Sequence, residues 1–207
     1  TDEKSWAKAR ERMSFMIETP YANQNLTAQQ NLEKQRLQKG LPDQTRIDEV
    51  LKKVGLEDKA NVYPDTLSGG QKQLLNLASV MVIGPSVLIL DEPTAGLDPK
   101  GRELIMSRII EYKNTTNATI ILSSHSMEDI ASIADKVLVM NNGTVFMYDT
   151  VQNVFSKNNE LESIGLNVPQ ITKIMVLLKQ KGIDINPNCF TVDEALNELK
   201  RYLKEAD

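Results

Sequence analysis

Apolar residues recur along the chain with three different spacings, and each spacing predicts a different element. Residues 1–11 read as a short polar helix, followed by the β-prone run Arg12-Met13-Ser14-Phe15-Met16-Ile17, which ends at Glu18-Thr19-Pro20. Pro20 to Thr27 has loop composition. A polar helix over Leu26–Lys39 is stopped by Gly40 and Pro42. Ile47, Val50, Leu51 and Val54 then return at helical spacing, with Gly55 where a C-cap belongs. Asn61 to Gly70 is a turn-rich connector.

From Gln71 the pattern changes to helices alternating with short unbroken apolar runs. The helix Gln71–Ile83 is apolar on most sides and ends at Gly84-Pro85. Val87–Leu90 and Thr119–Leu122 carry the pattern of strands covered on both faces in a parallel sheet. Helices near Arg102–Tyr112 and Met127–Ala134 separate them from Val137–Met140 and Thr144–Tyr148. Asn141-Asn142-Gly143 between those last two runs predicts a hairpin. The order of elements is that of an α/β layered domain. Past residue 150 the alternation stops. Pro169 opens a helix running to Gly182, and Thr191 with Glu194 forms a capping box ahead of a further helix, so residues 151–207 read as a small helical appendage.

Composition narrows the classes of function. The chain has 207 residues, enough for a core without disulfide or metal staples. Its net charge of -4 lacks the basic footprint of a nucleic-acid binder. No apolar run reaches the roughly 18 residues of a membrane span, and the polar, charged start of the chain is not a signal-peptide pattern. Cys189 and His125 are the only residues of their types, which excludes an intrachain disulfide and a cysteine-rich zinc site.

The candidate chemistry gathers at strand and helix ends. Val87–Leu90 ends at Asp91-Glu92-Pro93, and in open α/β sheets ligands bind at the carboxyl edge. An Asp there can hold Mg²⁺, and a Glu beside it can orient or deprotonate a water attacking a phosphate. Taken alone, the pair is equally an acidic strand-to-turn connection. Leu67-Ser68-Gly69-Gly70-Gln71 precedes the apolar helix. Two glycines and the first helical N–H groups make an anion site, although a plain Ser N-cap has the same local sequence. Asp98, in Ala95-Gly96-Leu97-Asp98-Pro99, either stands near a phosphate or a partner or simply caps the next helix. His125, in Ser123-Ser124-His125, follows the second buried strand, at the same predicted sheet edge as the carboxylates.

These four strings, in this order, resemble ABC-transporter ATPase subunits: LSGGQ the signature, VLILDEP the Walker B strand, AGLD the D-loop and SSH the switch-histidine loop. The resemblance covers residues 63–150 closely. It implies a head-to-tail dimer, of two like or unlike ATPase subunits, with two ATP molecules sandwiched between them. By resemblance Asp91 coordinates Mg²⁺, Glu92 is the catalytic base and His125 senses the γ-phosphate. Ser68, Gly69, Gly70 and Gln71 touch the partner's nucleotide, with Asp98 near the same interface.

The tail, Glu162–Leu166 through Pro169-Gln170 and Leu196–Leu203, is similar to the C-terminal extension of energy-coupling-factor (ECF) ATPases, which drive uptake of vitamins and metal ions. Residues 1–60, through Ile17-Glu18-Thr19-Pro20 and Asn25-Leu26-Thr27-Ala28, are more similar to bacitracin-resistance-type exporter ATPases. Glu18 stands where most of the family has the Q-loop Gln that ligates Mg²⁺ and water. The chain thus reads as a mosaic with a junction near Asn61–Pro64.

No G-x-x-x-x-G-K-[ST] and no Gly-Lys pair occurs in the 207 residues. That loop supplies the N–H cradle and the lysine for the β- and γ-phosphates. The expectation is therefore an incomplete P-loop NTPase (ABC ATPase) parallel sheet, lacking its first strand, over residues 1–150. A helical subdomain at about 26–82 and the appendage 151–207, as a dimerisation extension, complete the expected architecture.

The expected function is that of an ATP-binding and ATP-hydrolysing subunit on the cytoplasmic face of a membrane. It would pair with a second ATPase subunit and a transmembrane transporter subunit, and ECF-type uptake is the preferred branch. Antibiotic export is one alternative. Another is a non-catalytic interaction fragment, because the isolated 207 residues, without a phosphate loop, are expected not to hydrolyse ATP.

Overall fold

The computed structural model describes residues 12–17 and 22–205. The expected helix over 1–11, and Glu18 with Thr19 and Pro20, lie outside the described residues. The chain divides into two compact units, residues 1–124 and 125–207.

The first unit is built on a parallel sheet of three strands, β1 (Met13–Met16), β2 (Val87–Asp91) and β3 (Thr119–Ser123), in the order β1-β2-β3. Leu90 pairs with Met16 on one side and Leu122 on the other, and Asp91 pairs with Ser123. The carboxyl ends of all three strands therefore finish level. Leu88 and Leu90 are fully buried on one face, whereas Val87 and Ile89 on the other are half-buried. Coverage of both faces, expected from the unbroken apolar runs, is thus met only in part. It fails most clearly at β3, where Ile121 is 52% exposed. The exposure belongs to one face of the sheet: Ile121 is paired with Ile89 and Ile89 with Phe15, which is 57% exposed.

Four helices accompany this sheet: α1 (Ala28–Gln38), α2 (Thr45–Val54), α3 (Gly69–Met81) and α4 (Pro99–Thr115). Thr27 starts α1 with a capping box closed by Gln30. The stripe Ile47, Val50, Leu51 and Val54 is buried along α2, which ends at Gly55 in the left-handed region, φ 73°. α3 is the central element and packs against β1, α1, α2 and α4. Its Leu75, Leu77 and Ala78 have no solvent exposure, and burying a Leu side chain stabilises by about 1.5–3 kcal/mol. Two polar side chains are buried with them, Gln73 and Asn76. Each donates to a strand-end carbonyl, Gln73 Nε2 to Pro93 O at 3.0 Å and Asn76 Nδ2 to Ile17 O at 3.2 Å.

The second unit starts with α5 (Met127–Ile133) and an antiparallel hairpin of β4 (Lys136–Asn141) and β5 (Thr144–Thr150). Asn142 and Gly143 sit at φ 49° and 75°, the twist an Asn-Gly hairpin turn requires. Short helices α6 (Val151–Phe155) and α7 (Asn158–Ser163) follow, then α8 (Gln170–Gln180) and α9 (Val192–Glu205). Val139, Met147, Val154, Phe155, Leu161 and Phe190 form one core; Met175, Ile185, Cys189 and Ala195 form another. The expected box at Thr191 is present: Glu194 N–H donates to Thr191 Oγ1 at 3.2 Å and Thr191 N–H to Glu194 Oε2 at 3.2 Å.

Candidate functional site

Two carboxylate residues stand at the carboxyl end of β2, and one hydroxyl holds the side chain of the first and the backbone of the second. Ser123 Oγ donates to Asp91 Oδ1 at 2.5 Å and accepts from the Glu92 N–H at 3.3 Å. The Ser123 carbonyl shares that N–H at 3.2 Å. Parallel register brings this about, because Asp91 and Ser123 are paired residues at the last rung of the ladder. One oxygen of Asp91 is fixed by Ser123, and the residue is exposed. A single carboxylate suffices to anchor Mg²⁺, which keeps several waters and takes its remaining ligands from phosphates. Among the described residues no cluster of three or more acidic, His or Cys side chains offers a closed metal cage.

Glu92 adopts φ 45°, left-handed backbone that a non-glycine residue enters only when its surroundings enforce it. The turn after it closes through Ala95 N–H to Glu92 O at 3.0 Å and Leu97 N–H to Thr94 O at 3.3 Å. Asp98 ends that turn as the N-cap of α4, accepting from Gly101 N–H at 2.7 Å. The approach is close enough that a Cβ at Gly101 would lie 2.8 Å from Asp98 Oδ1. Of the two readings its sequence allowed, the capping geometry is the one visible within the chain.

The LSGGQ segment forms the start of α3. Ser68 is its N-cap, and the pair is reciprocal: Ser68 Oγ accepts from Gln71 N–H at 3.3 Å, and Gln71 Oε1 accepts from Ser68 N–H at 3.0 Å. The Ser68 hydroxyl spends an acceptor site on the cap and keeps its proton to donate. Gly69 and Gly70 have open space where a Cβ would stand, and their N–H groups make no hydrogen bond among the described residues. Two N–H groups, a hydroxyl donor and the positive end of the 13-residue helix converge on one exposed spot, the arrangement that binds an anion.

His125 is exposed and is the first residue of the second unit, two positions past Ser123. Glu18 lies outside the described residues. The contributions of Gln73, Asn76 and Ser123 were not legible beforehand. Only an amide on an otherwise apolar helix face hinted at the first two.

A family model described as "ABC transporter" matches residues 1–95. Similar proteins include "Energy-coupling factor transporter ATP-binding protein EcfA2" of Caldanaerobacter subterraneus, 44% identical over 77% of this chain and 56% of that protein. The protein of the same name from Clostridium tetani is 47% identical over 74% of this chain and 54% of its own length. A solved structure, cbiO1 from Clostridium perfringens, described as part of the ABC transporter complex cbiONQ, superposes with a TM-score of 0.69. It is 30% identical, and the match covers 86% of this chain and 71% of that one. A strand-end Asp-Glu pair on a parallel sheet and a glycine-led helix start stand in one α/β unit. With these matches, the chain belongs to the ABC transporter family. It spans about half the length of the curated relatives it matches.

Proposed function

We propose that this chain is the signature and Walker B part of an ATP-hydrolysing subunit that energises an ECF-type uptake transporter. The observation that carries the reading is the Ser123 clamp on Asp91 and Glu92 at the carboxyl edge of the sheet. Asp91 would hold Mg²⁺, and the ion would supply neutralisation of charge on the phosphates. Glu92 orients the attacking water and takes its proton as the water attacks the γ-phosphorus in line, the bond to the β,γ-bridging oxygen breaks and ADP leaves. His125 contacts the γ-phosphate, and Glu18 adds a ligand to the same metal. Ser68, the free N–H groups of Gly69 and Gly70, and Gln71 face the nucleotide held by a second ATPase subunit, with Asp98 at that junction.

Uptake of vitamins or metal ions, rather than antibiotic export, is favoured by the energy-coupling-factor names of the similar proteins. Among the described residues no helix is long and apolar enough to cross a membrane, so a separate transmembrane subunit would carry the cargo. The domain plan follows the same reading. Residues 1–150 serve the nucleotide, with about 26–82 as helical subdomain, and 151–207 join two ATPase subunits. Exposed Ile174 and Leu177 on α8 with Leu196 and Leu203 on α9 suit that last role.

A second reading rests on the missing phosphate loop: the 207 residues alone would offer LSGGQ to a partner and hydrolyse nothing. The experiment measures ATP turnover of the chain with and without any coding sequence that precedes Thr1. Turnover that appears with the longer product and falls in Glu92→Gln supports the ATPase. No turnover in either, with ATP-dependent binding to a second ATPase subunit, supports the interaction reading.

A further inference from the structure

Gln73 and Asn76 lie one helical turn apart on α3, are 3% and 7% exposed, and use their amide N–H groups on carbonyls of two different strand ends. The Gln73 bond ends on Pro93, immediately after Glu92, and the Asn76 bond on Ile17, immediately before Glu18. Both carbonyls lie past the last rungs of the parallel ladder, where among the described residues no neighbouring strand N–H reaches them. Burial makes these bonds matter, because an amide or carbonyl left unpaired inside the protein keeps its full desolvation cost. An apolar side chain in place of Gln73 would pack as well but would take the amide donor from the buried Pro93 carbonyl, whereas the Asn76 bond to exposed Ile17 is only part-buried.

We propose that Gln73 is a positioning residue that ties the helix bearing Ser68, Gly69 and Gly70 to the turn bearing Glu92, with Asn76 as a second tie to the end of β1. The inference rests on the functional reading above for its consequence and on the hydrogen bonds alone for its physical content. In a head-to-tail dimer the two ends of this tie serve different nucleotides: the signature meets the partner's, and Glu92 acts on the subunit's own. A phosphate that seats α3 therefore sets the turn after β2 in the neighbouring site. The link is one buried side chain long, not a path across the domain.

The first test is hydrogen exchange on the 207-residue chain, comparing wild type with Gln73→Met, which keeps length and volume but removes the donor. Amides of Ala95 and Leu97, which close the turn after Glu92, should exchange about tenfold faster, the factor a lost buried hydrogen bond carries. Amides within α3 should stay protected, which shows that the helix still folds. Gln73→Glu supplies a second variant. Its carboxylate repels Pro93 O, and its protonated form donates again, so turn protection should recover on acidification after correction for intrinsic exchange. Unchanged exchange at Ala95 and Leu97 in Gln73→Met overturns the proposal, and so does a Gln73→Glu defect that ignores pH.

The second test uses ATP turnover of the chain with any preceding coding sequence. Gln73→Met should lower kcat about tenfold with KM within a factor of two, and should flatten the dependence of rate on ATP concentration. A change in KM alone overturns the inter-site role. If exchange responds as expected while wild type itself shows no turnover, the tie stands and the ATPase reading fails by itself.

Discussion

Ser68 carries two duties that substitution can separate. As N-cap of α3 it accepts from Gln71 N–H, and in the proposed function its hydroxyl meets a phosphate. Ser68→Ala removes both. The Gln71 side chain still accepts from the backbone N–H of residue 68, so only half of the box is lost. The cost should be about 1 kcal/mol, a fall in Tm of roughly 2–4 °C for a chain of this size.

Ser68→Asp keeps the acceptor and adds a negative charge to the first turn, worth about 0.3–1 kcal/mol. Its stability should match or exceed that of wild type. The same charge faces an incoming phosphate. At about 4 Å and an effective dielectric near 20, repulsion of two unit charges is about 4 kcal/mol, or roughly a thousandfold in affinity. Urea unfolding followed by circular dichroism reads the first duty. ATP-dependent association with a second ATPase subunit, followed by light scattering, reads the second. The order of stability should be Asp at or above Ser, and Ser above Ala, with association lost in the Asp variant. An Asp variant as unstable as Ala refutes the capping geometry. An Asp variant that associates normally refutes the placement of a phosphate at this helix start.

Three further outcomes follow from local geometry. Glu92→Gly should be more stable than Glu92→Ala by about 1 kcal/mol in urea, because only glycine relaxes at φ 45° and both variants lose the same side chain. Gly84 stands at φ 64°, and a Cβ there would lie 1.7 Å from Arg46 Nη2. Gly84→Ala should cost about 1–2 kcal/mol for its φ, plus the displacement of Arg46, and in an Arg46→Ala background only the backbone part should remain. In the second unit, Arg201 and the Asn186 N–H hold the Glu198 carboxylate down to about 2. A folded value below the unfolded one of about 4.3 makes this contribution complete above that pH and lost as pH falls toward the folded value. Glu198→Gln should therefore lower thermal stability at pH 7 and make progressively less difference on acid titration toward pH 2.

Local chemistry was legible in the sequence, and non-local chemistry was not. The Ile47–Val54 stripe with Gly55, the Asn142-Gly143 turn and the Thr191–Glu194 box each depend on residues within one or two turns of each other, and each appears where the pattern places it. The Asp91-Glu92 pair was readable for the same reason, as the end of an apolar run. Ser123 reaches Asp91 across 32 positions, Gln73 reaches Pro93 across 20 and Asn76 reaches Ile17 across 59. No periodicity records such bonds, because strand register and helix packing decide them. Exposure of Ile121 is hidden for a related reason: Thr119–Leu122 is composed like a strand covered on both faces, and only the register sets it on one face with exposed Phe15. The cap reading of LSGGQ is present in the geometry, and that geometry leaves room for the proposed anion site beside it. Sequence alone had set them as alternatives.

The most direct test of the account is ATP turnover by the chain, expressed with any coding sequence that precedes Thr1, compared with its Glu92→Gln variant. The account gives a fall of about 10²–10⁴-fold, the usual contribution of a positioned general base, with ATP binding retained. Equal turnover in the two proteins would contradict it.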